Sequence, residues 1–161
     1  MKKFLTLCLV MVGLFVITGC EKVEESGKYK EGTYFGSYQY ESYGAQYVTT
    51  AVIYVNNGGV IKSVYLDSTY TKDGVNTTKK TLGDAYGMKE TSAGFGNIPG
   101  GAEWYEQAKS IEDKVVSEQG LDWVKWSDDA KTKLDVDTIS GVTITADSYI
   151  KAIDSALSQA K

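Results

Sequence analysis

Between Val48 and Leu66 the chain runs Val48-Thr49-Thr50-Ala51-Val52-Ile53-Tyr54-Val55, then Asn56-Asn57-Gly58-Gly59, then Val60-Ile61-Lys62-Ser63-Val64-Tyr65-Leu66. β-Branched and aromatic residues crowd both apolar runs, and the Asn and Gly residues between them tolerate positive φ. The stretch therefore predicts a β-hairpin, and with it an antiparallel sheet. Tyr34, Tyr38 and Tyr40 extend the β pattern upstream from Gly32. Their spacing suits cross-strand pairs on a half-buried sheet.

Two helices are predicted to cover that sheet. From Glu103 to Glu118, Trp104, Ala108, Ile111 and Val115 recur on one helical face, and Gly120 suits the C-terminal cap. From Ala146 to Ala160, Ile150, Ile153 and Leu157 join Ala152, Ala156 and Ala160 on another such face. Lys79 to Tyr86 reads as a short helix with Leu82 and Tyr86 four apart. Ser68 to Asn76 reads as polar loop, and Leu121 to Trp126 as a short strand whose Trp123 and Trp126 suit burial. The expected class is α+β: an antiparallel sheet of about four to five strands packed by two longer helices.

The N-terminus reads as a secretory signal: Lys2 and Lys3, an apolar run of 14 residues from Phe4 to Ile17, then Thr18-Gly19-Cys20. That run is shorter than the roughly 20 residues a spanning helix needs. An aliphatic residue and two small residues before a cysteine resemble the lipobox of bacterial lipoproteins, which implies lipidation at Cys20. The expected organisation is a signal over 1–19, a lipidated N-terminus and polar tether over 20–30, and one domain over 31–161. The expected location is the extracytoplasmic face of the cell membrane, held by the lipid.

Removing the signal takes Cys8, and lipidation takes Cys20, so no thiol is left for a disulfide, a metal or catalysis. The chain has no histidine, which excludes the usual haem and zinc ligation. Loss of Lys2 and Lys3 lowers the basic count from 17 to 15 against 21 acidic residues, a net charge of −6. Nucleic acid is not the expected partner of such a surface. Every basic residue is lysine, so phosphate recognition by a guanidinium fork is ruled out and backbone N–H groups become the expected phosphate ligands.

Those N–H groups are expected in Asp137-Thr138-Ile139-Ser140-Gly141-Val142-Thr143-Ile144-Thr145, between a β-like segment at Leu134 and Val136 and the last helix. Gly141 would let the backbone approach an anion without a Cβ in the way. The same residues also suit an ordinary Ser-Gly turn followed by Thr145 as helix N-cap.

At Asp137, Ser140, Gly141 and Thr143 the chain resembles the FMN-binding domain family. Its motif, Asp-x-x-Ser/Thr-Gly-Ala-Thr, carries FMN on the last threonine through a phosphoester. Thr145 matches a further hydroxyl position, and Ala152, Ala156 and Ala160 match the alanines of the family's following helix. Val142 departs from the usual alanine. The opening Gly32-Thr33-Tyr34-Phe35-Gly36, the strand beginning Val60-Ile61 and Trp104-Tyr105-x-Gln107 also resemble family members. Glu90-Thr91, ahead of the glycine-rich Gly94 to Gly101, resembles a segment beside the flavin in some of them; it reads equally as a linker.

The resemblance implies FMN held covalently at Thr143, with Asp137, Ser140, Gly141, Thr145, Glu90 and Thr91 around it. A threonine hydroxyl is a weak nucleophile, and without histidine there is no imidazole base to activate it. Attachment is therefore expected from a separate flavin transferase using FAD, with Asp137 orienting the loop or helping that enzyme hold a metal. The implied role is electron carriage from a membrane donor, such as a quinol or a dehydrogenase, to an extracellular acceptor such as ferric iron, by a lipid-anchored monomer. Two other readings stay open: a lipoprotein that binds FMN or another phosphorylated ligand without a covalent bond, and a precursor whose apolar signal fragment is a peptide pheromone.

Overall fold

The computed structural model describes residues 26–94 and 98–161; the signal, Cys20 and the pheromone segment lie outside them. Four strands, β1 (Gly32–Ser42), β2 (Ala45–Val55), β3 (Ile61–Lys72) and β4 (Val75–Thr78), form one antiparallel sheet in the order β1-β2-β3-β4. The α+β class and the strand number are as expected.

The β2–β3 hairpin closes where the Asn and Gly residues predict. Asn56 Oδ1 accepts the Gly58 and Val60 N–H groups at 3.1 and 2.9 Å, and Gly59 takes φ 77°. Gly27 to Lys30, read as the end of the tether, instead belong to the folded unit. Gly27 and Tyr29 donate to Gly58 and Gly59 carbonyls, Lys30 donates to Ala160 O, and the Tyr29 ring is buried. Burial of that ring holds this polar segment against the turn.

Ser68 to Asn76 is not loop. β3 continues to Lys72, turns tightly at Asp73-Gly74, both at positive φ, and returns as β4. This ribbon lies at the sheet edge and needs few apolar residues, which is why its composition reads as loop. Lys79–Leu82 forms α1, followed by a 3-10 turn over Gly83–Tyr86, and Lys89–Gly94 forms α2.

The two longer helices, α3 (Trp104–Glu118) and α4 (Asp147–Ser158), pack on one face of the sheet, α4 over β1 and β2 and α3 over β3. The alternation along each strand sends Ala51, Ile53, Val55, Ile61, Val64 and Leu66 into the shared core. Gly36 is the point of closest approach: a Cβ there would lie 2.1 Å from Ala152 O and 2.5 Å from Ala156 N. The Ala152, Ala156 and Ala160 stripe is fully buried, as its spacing predicts. Small side chains on both sides thus let α4 sit directly on β1.

Three details differ from expectation. The α3 C-cap is Gln119, at φ 56°; its amide also bonds both backbone groups of Ile61, a double contact that Gly120 could not supply. The α4 N-cap is Ala146 rather than Thr145. Leu121 to Trp126 turns rather than running as a strand, and meets the sheet-like pattern only where Trp126 bridges Leu134.

Candidate functional site

The Thr143 loop is closed at its base by backbone bonds. Asp135 N–H donates to Lys125 O at 2.9 Å, and Ala146 N–H donates to Thr132 O at 2.7 Å. Within it, Asp135 organises the turn: its carbonyl accepts from Thr138 and Ile139 N–H and its carboxylate accepts the Asp137 N–H at 2.8 Å. The orienting role foreseen for Asp137 falls structurally on Asp135, while Asp137 itself is exposed. Ile139, Val142 and Ile144 point into the core and Ser140 and Thr145 into solvent, with Thr143 partly exposed between them. Gly141 takes φ 77°, with nothing within 4 Å of a Cβ built there. Its glycine serves the left-handed turn, not a close approach within this chain.

The expected open cradle of N–H groups is changed by one residue. Gln107, fully buried on α3, turns its side-chain oxygen to the loop and accepts Thr143 N–H at 2.8 Å, Thr143 Oγ1–H at 3.1 Å and Ile144 N–H at 3.2 Å. Its Nε2 donates to Ala102 O at 3.1 Å. The N–H groups of Thr143 and Ile144 therefore point inward, to the protein's own amide. Those of Ser140, Gly141 and Val142 have no acceptor among the described residues, and it is this earlier part of the loop that can face an anion.

Two pockets lie on either side of Ile144-Thr145. One, of about 370 Å³, is lined by Thr143, Val142, Val136, Leu134, Lys133 and Ser127. The other, of about 360 Å³, is lined by Tyr40, Lys79, Tyr86, Trp104 and Tyr149 together with the start of α4 at Asp147 and Ser148. Two rings of the second pocket, Tyr40 and Tyr86, are the ends of a row that passes outside it through Tyr47 and Tyr70. Tyr40 and Tyr47, paired across β1 and β2, stack at 5.3 Å between centroids, Tyr47 and Tyr70 at 6.5 Å, and Tyr70 meets Tyr86 edge-on at 5.1 Å. Tyr40–Tyr47 is a cross-strand pair of the kind expected, whereas Tyr34 and Tyr38 face Ile53 and Thr49 and Tyr86 joins the row from the 3-10 turn.

Lys79 was not foreseen, because a lysine opening a short helix carries no pattern that marks it. Its ammonium lies 5.5 to 5.9 Å from the ring centres of Tyr86, Trp104 and Tyr47, and donates to Tyr149 Oη at 3.4 Å. Trp104 Nε1–H donates to the same hydroxyl at 3.0 Å. Burial among the rings lowers Lys79 to about 8, opposed by the charge of Asp67, and burial raises Tyr86 to about 12 and also raises Tyr149 well above its ordinary value. No carboxylate among the described residues pairs with this ammonium.

Glu90 and Thr91 are exposed on α2 and line neither pocket; Met88, two residues earlier, lines the second. Trp123 is buried and bonded to Gly120 O, and so is closed to a ligand. Among the described residues no helix is long and apolar enough to cross a membrane. In comparison with known proteins, no family profile, no curated protein and no solved structure matches the chain.

Proposed function

We propose that this chain is a membrane-anchored, extracytoplasmic electron carrier with FMN attached to Thr143, on a domain of the FMN-binding type. The observation that carries the reading is the setting of Thr143. Thr143 is a partly exposed residue that lines a pocket, on a turn that Gly141 permits, while its backbone N–H and its hydroxyl are both held by Gln107. A phosphoester at Oγ1 would remove one of the three donors that Gln107 accepts and leave the two backbone bonds in place. The loop can thus hold the same shape before and after modification.

The residues fit a phosphate on this threonine. Ser140, Gly141 and Val142 offer N–H groups without acceptors among the described residues, and the Ser140 side chain lies exposed beside them. FMN when bound would supply one- and two-electron chemistry that the chain, with no histidine and no exported thiol, does not supply itself. The chain's own contribution is to hold the attachment point rigid and to offer cavities on both sides of it. Cys20 would carry the lipid, a separate transferase would use FAD to modify Thr143, and a membrane donor and an extracellular acceptor such as ferric iron would be the redox partners. Intact-mass measurement of the chain, with and without Thr143, tests the reading.

A further inference from the structure

We propose that the pocket in front of Lys79 seats a planar heteroaromatic ring, with the Lys79 ammonium donating to a carbonyl edge of that ring. The proposal rests on the reading above for its occupant, the flavin ring of an FMN held at Thr143, and it chooses between the two cavities that flank Ile144-Thr145.

Volume does not make the choice, since both cavities reach the lower end of the roughly 300–1,000 Å³ usual for small-molecule sites. Lining does. The pocket that Thr143 itself lines is walled by aliphatic and small polar side chains and by Lys133, without a ring. The other presents Tyr40, Tyr86, Trp104 and Tyr149, and offset or edge-on aromatic contact is the way a flat ring is held. Ile144 and Thr145 line both, so the ribityl phosphate of a group tethered at Thr143 has only that ridge to cross.

The cation supplies the polar contact. Lys79 stands among three ring faces with a single hydrogen bond, to Tyr149 Oη, leaving donor capacity at the wall of a pocket that mixes rings with polar side chains. A few convergent polar groups in such a pocket fix the orientation of a ligand. The acidic groups that line it are already engaged, Asp147 with Lys151 and Glu41 with Gln46, and Asp67, whose charge acts on Lys79, accepts the Ser68 and Lys80 N–H groups. A neutral or electron-rich carbonyl edge fits between them.

The test uses the full chain, processed and purified in detergent, carrying Thr143→Ala so that nothing is attached, with isotope labelling for NMR. FMN is titrated to low-millimolar concentration, with inorganic phosphate as a parallel probe. The expected result is a shift of the Trp104 indole N–H and of the Tyr86 and Met88 amides with FMN and not with phosphate. Lys79→Met should weaken that titration about tenfold. Tyr86→Leu, which removes a wall and no charge, should weaken it as well. Shifts confined to Lys133, Val136 and Val142, shifts that phosphate alone reproduces, or no shift would overturn the proposal. Wild-type chain that gains no mass while this titration succeeds would remove the covalent link and leave the ring seat standing.

Discussion

Gln107 and Thr143, 36 residues apart, are joined by two hydrogen bonds to one oxygen: Gln107 Oε1 accepts the Thr143 backbone N–H at 2.8 Å and its hydroxyl at 3.1 Å. A third donor, Ile144 N–H, completes the set. Helix α3 thereby fixes the direction in which the Thr143 side chain leaves the loop.

Replacing Gln107 with Ala should leave the Thr143 and Ile144 N–H groups without acceptors and cost about 1–3 kcal/mol. Urea denaturation measures the loss, and hydrogen exchange at Ile144 should rise with it. If exchange at Ile144 stays unchanged, the amide contact is not what holds the loop.

Gly36→Ala should be among the most damaging single-methyl additions in the chain. Its Cβ would meet Ala152 O and Ala156 N at 2.1 and 2.5 Å, both backbone atoms that no side-chain rotation relieves. Overpacking of this kind costs about 1–3 kcal/mol or more, and a fall in thermal midpoint would report it.

Val142→Ala addresses the one departure from the motif. Val142 is only 6% exposed and its side chain faces the core, so shortening it should cost about 1–3 kcal/mol. It should not change the extent to which Thr143 is modified. A marked rise in modification, read by mass, would mean that Val142 obstructs the attaching enzyme.

The hairpin and the α4 alanine stripe were legible because their signals are local: β-branched runs around Asn-Gly residues, and small residues recurring at helical spacing. β4 and the end of β3 were not, since an edge ribbon of Thr, Asn and Lys carries little burial to pattern its sequence. The Thr143 loop was visible as a turn ahead of a helix, yet its N–H groups were read as open. The amide that occupies two of them comes from α3, and only the packing of α3 against the loop reveals it. Lys79 was hidden for the same reason: its surroundings come from β2, the 3-10 turn, α3 and α4.

Lys79 also gives a pH signature. Its folded value is lowered from the ordinary 10.5 to about 8, so burying the charge is a cost fully present at pH 7. As pH rises through about 8 the folded chain gives up this proton before the unfolded chain does, and the cost is relieved progressively toward 10.5. Wild type should therefore gain stability relative to Lys79→Met between about pH 8 and 10. The raised Tyr86 and Tyr149 act oppositely at the top of this range but are present in both proteins, so they largely cancel in the difference. Urea midpoints of the two proteins across that range supply the comparison; a constant difference would contradict the assignment.

The most direct test of the central claim is the intact mass of the processed chain after co-expression with a flavin transferase, beside Thr143→Ala. The account predicts a gain of about 438 Da, FMN less water, on the wild type and none on the variant. A folded wild type that gains nothing, or a gain that survives Thr143→Ala, would contradict it.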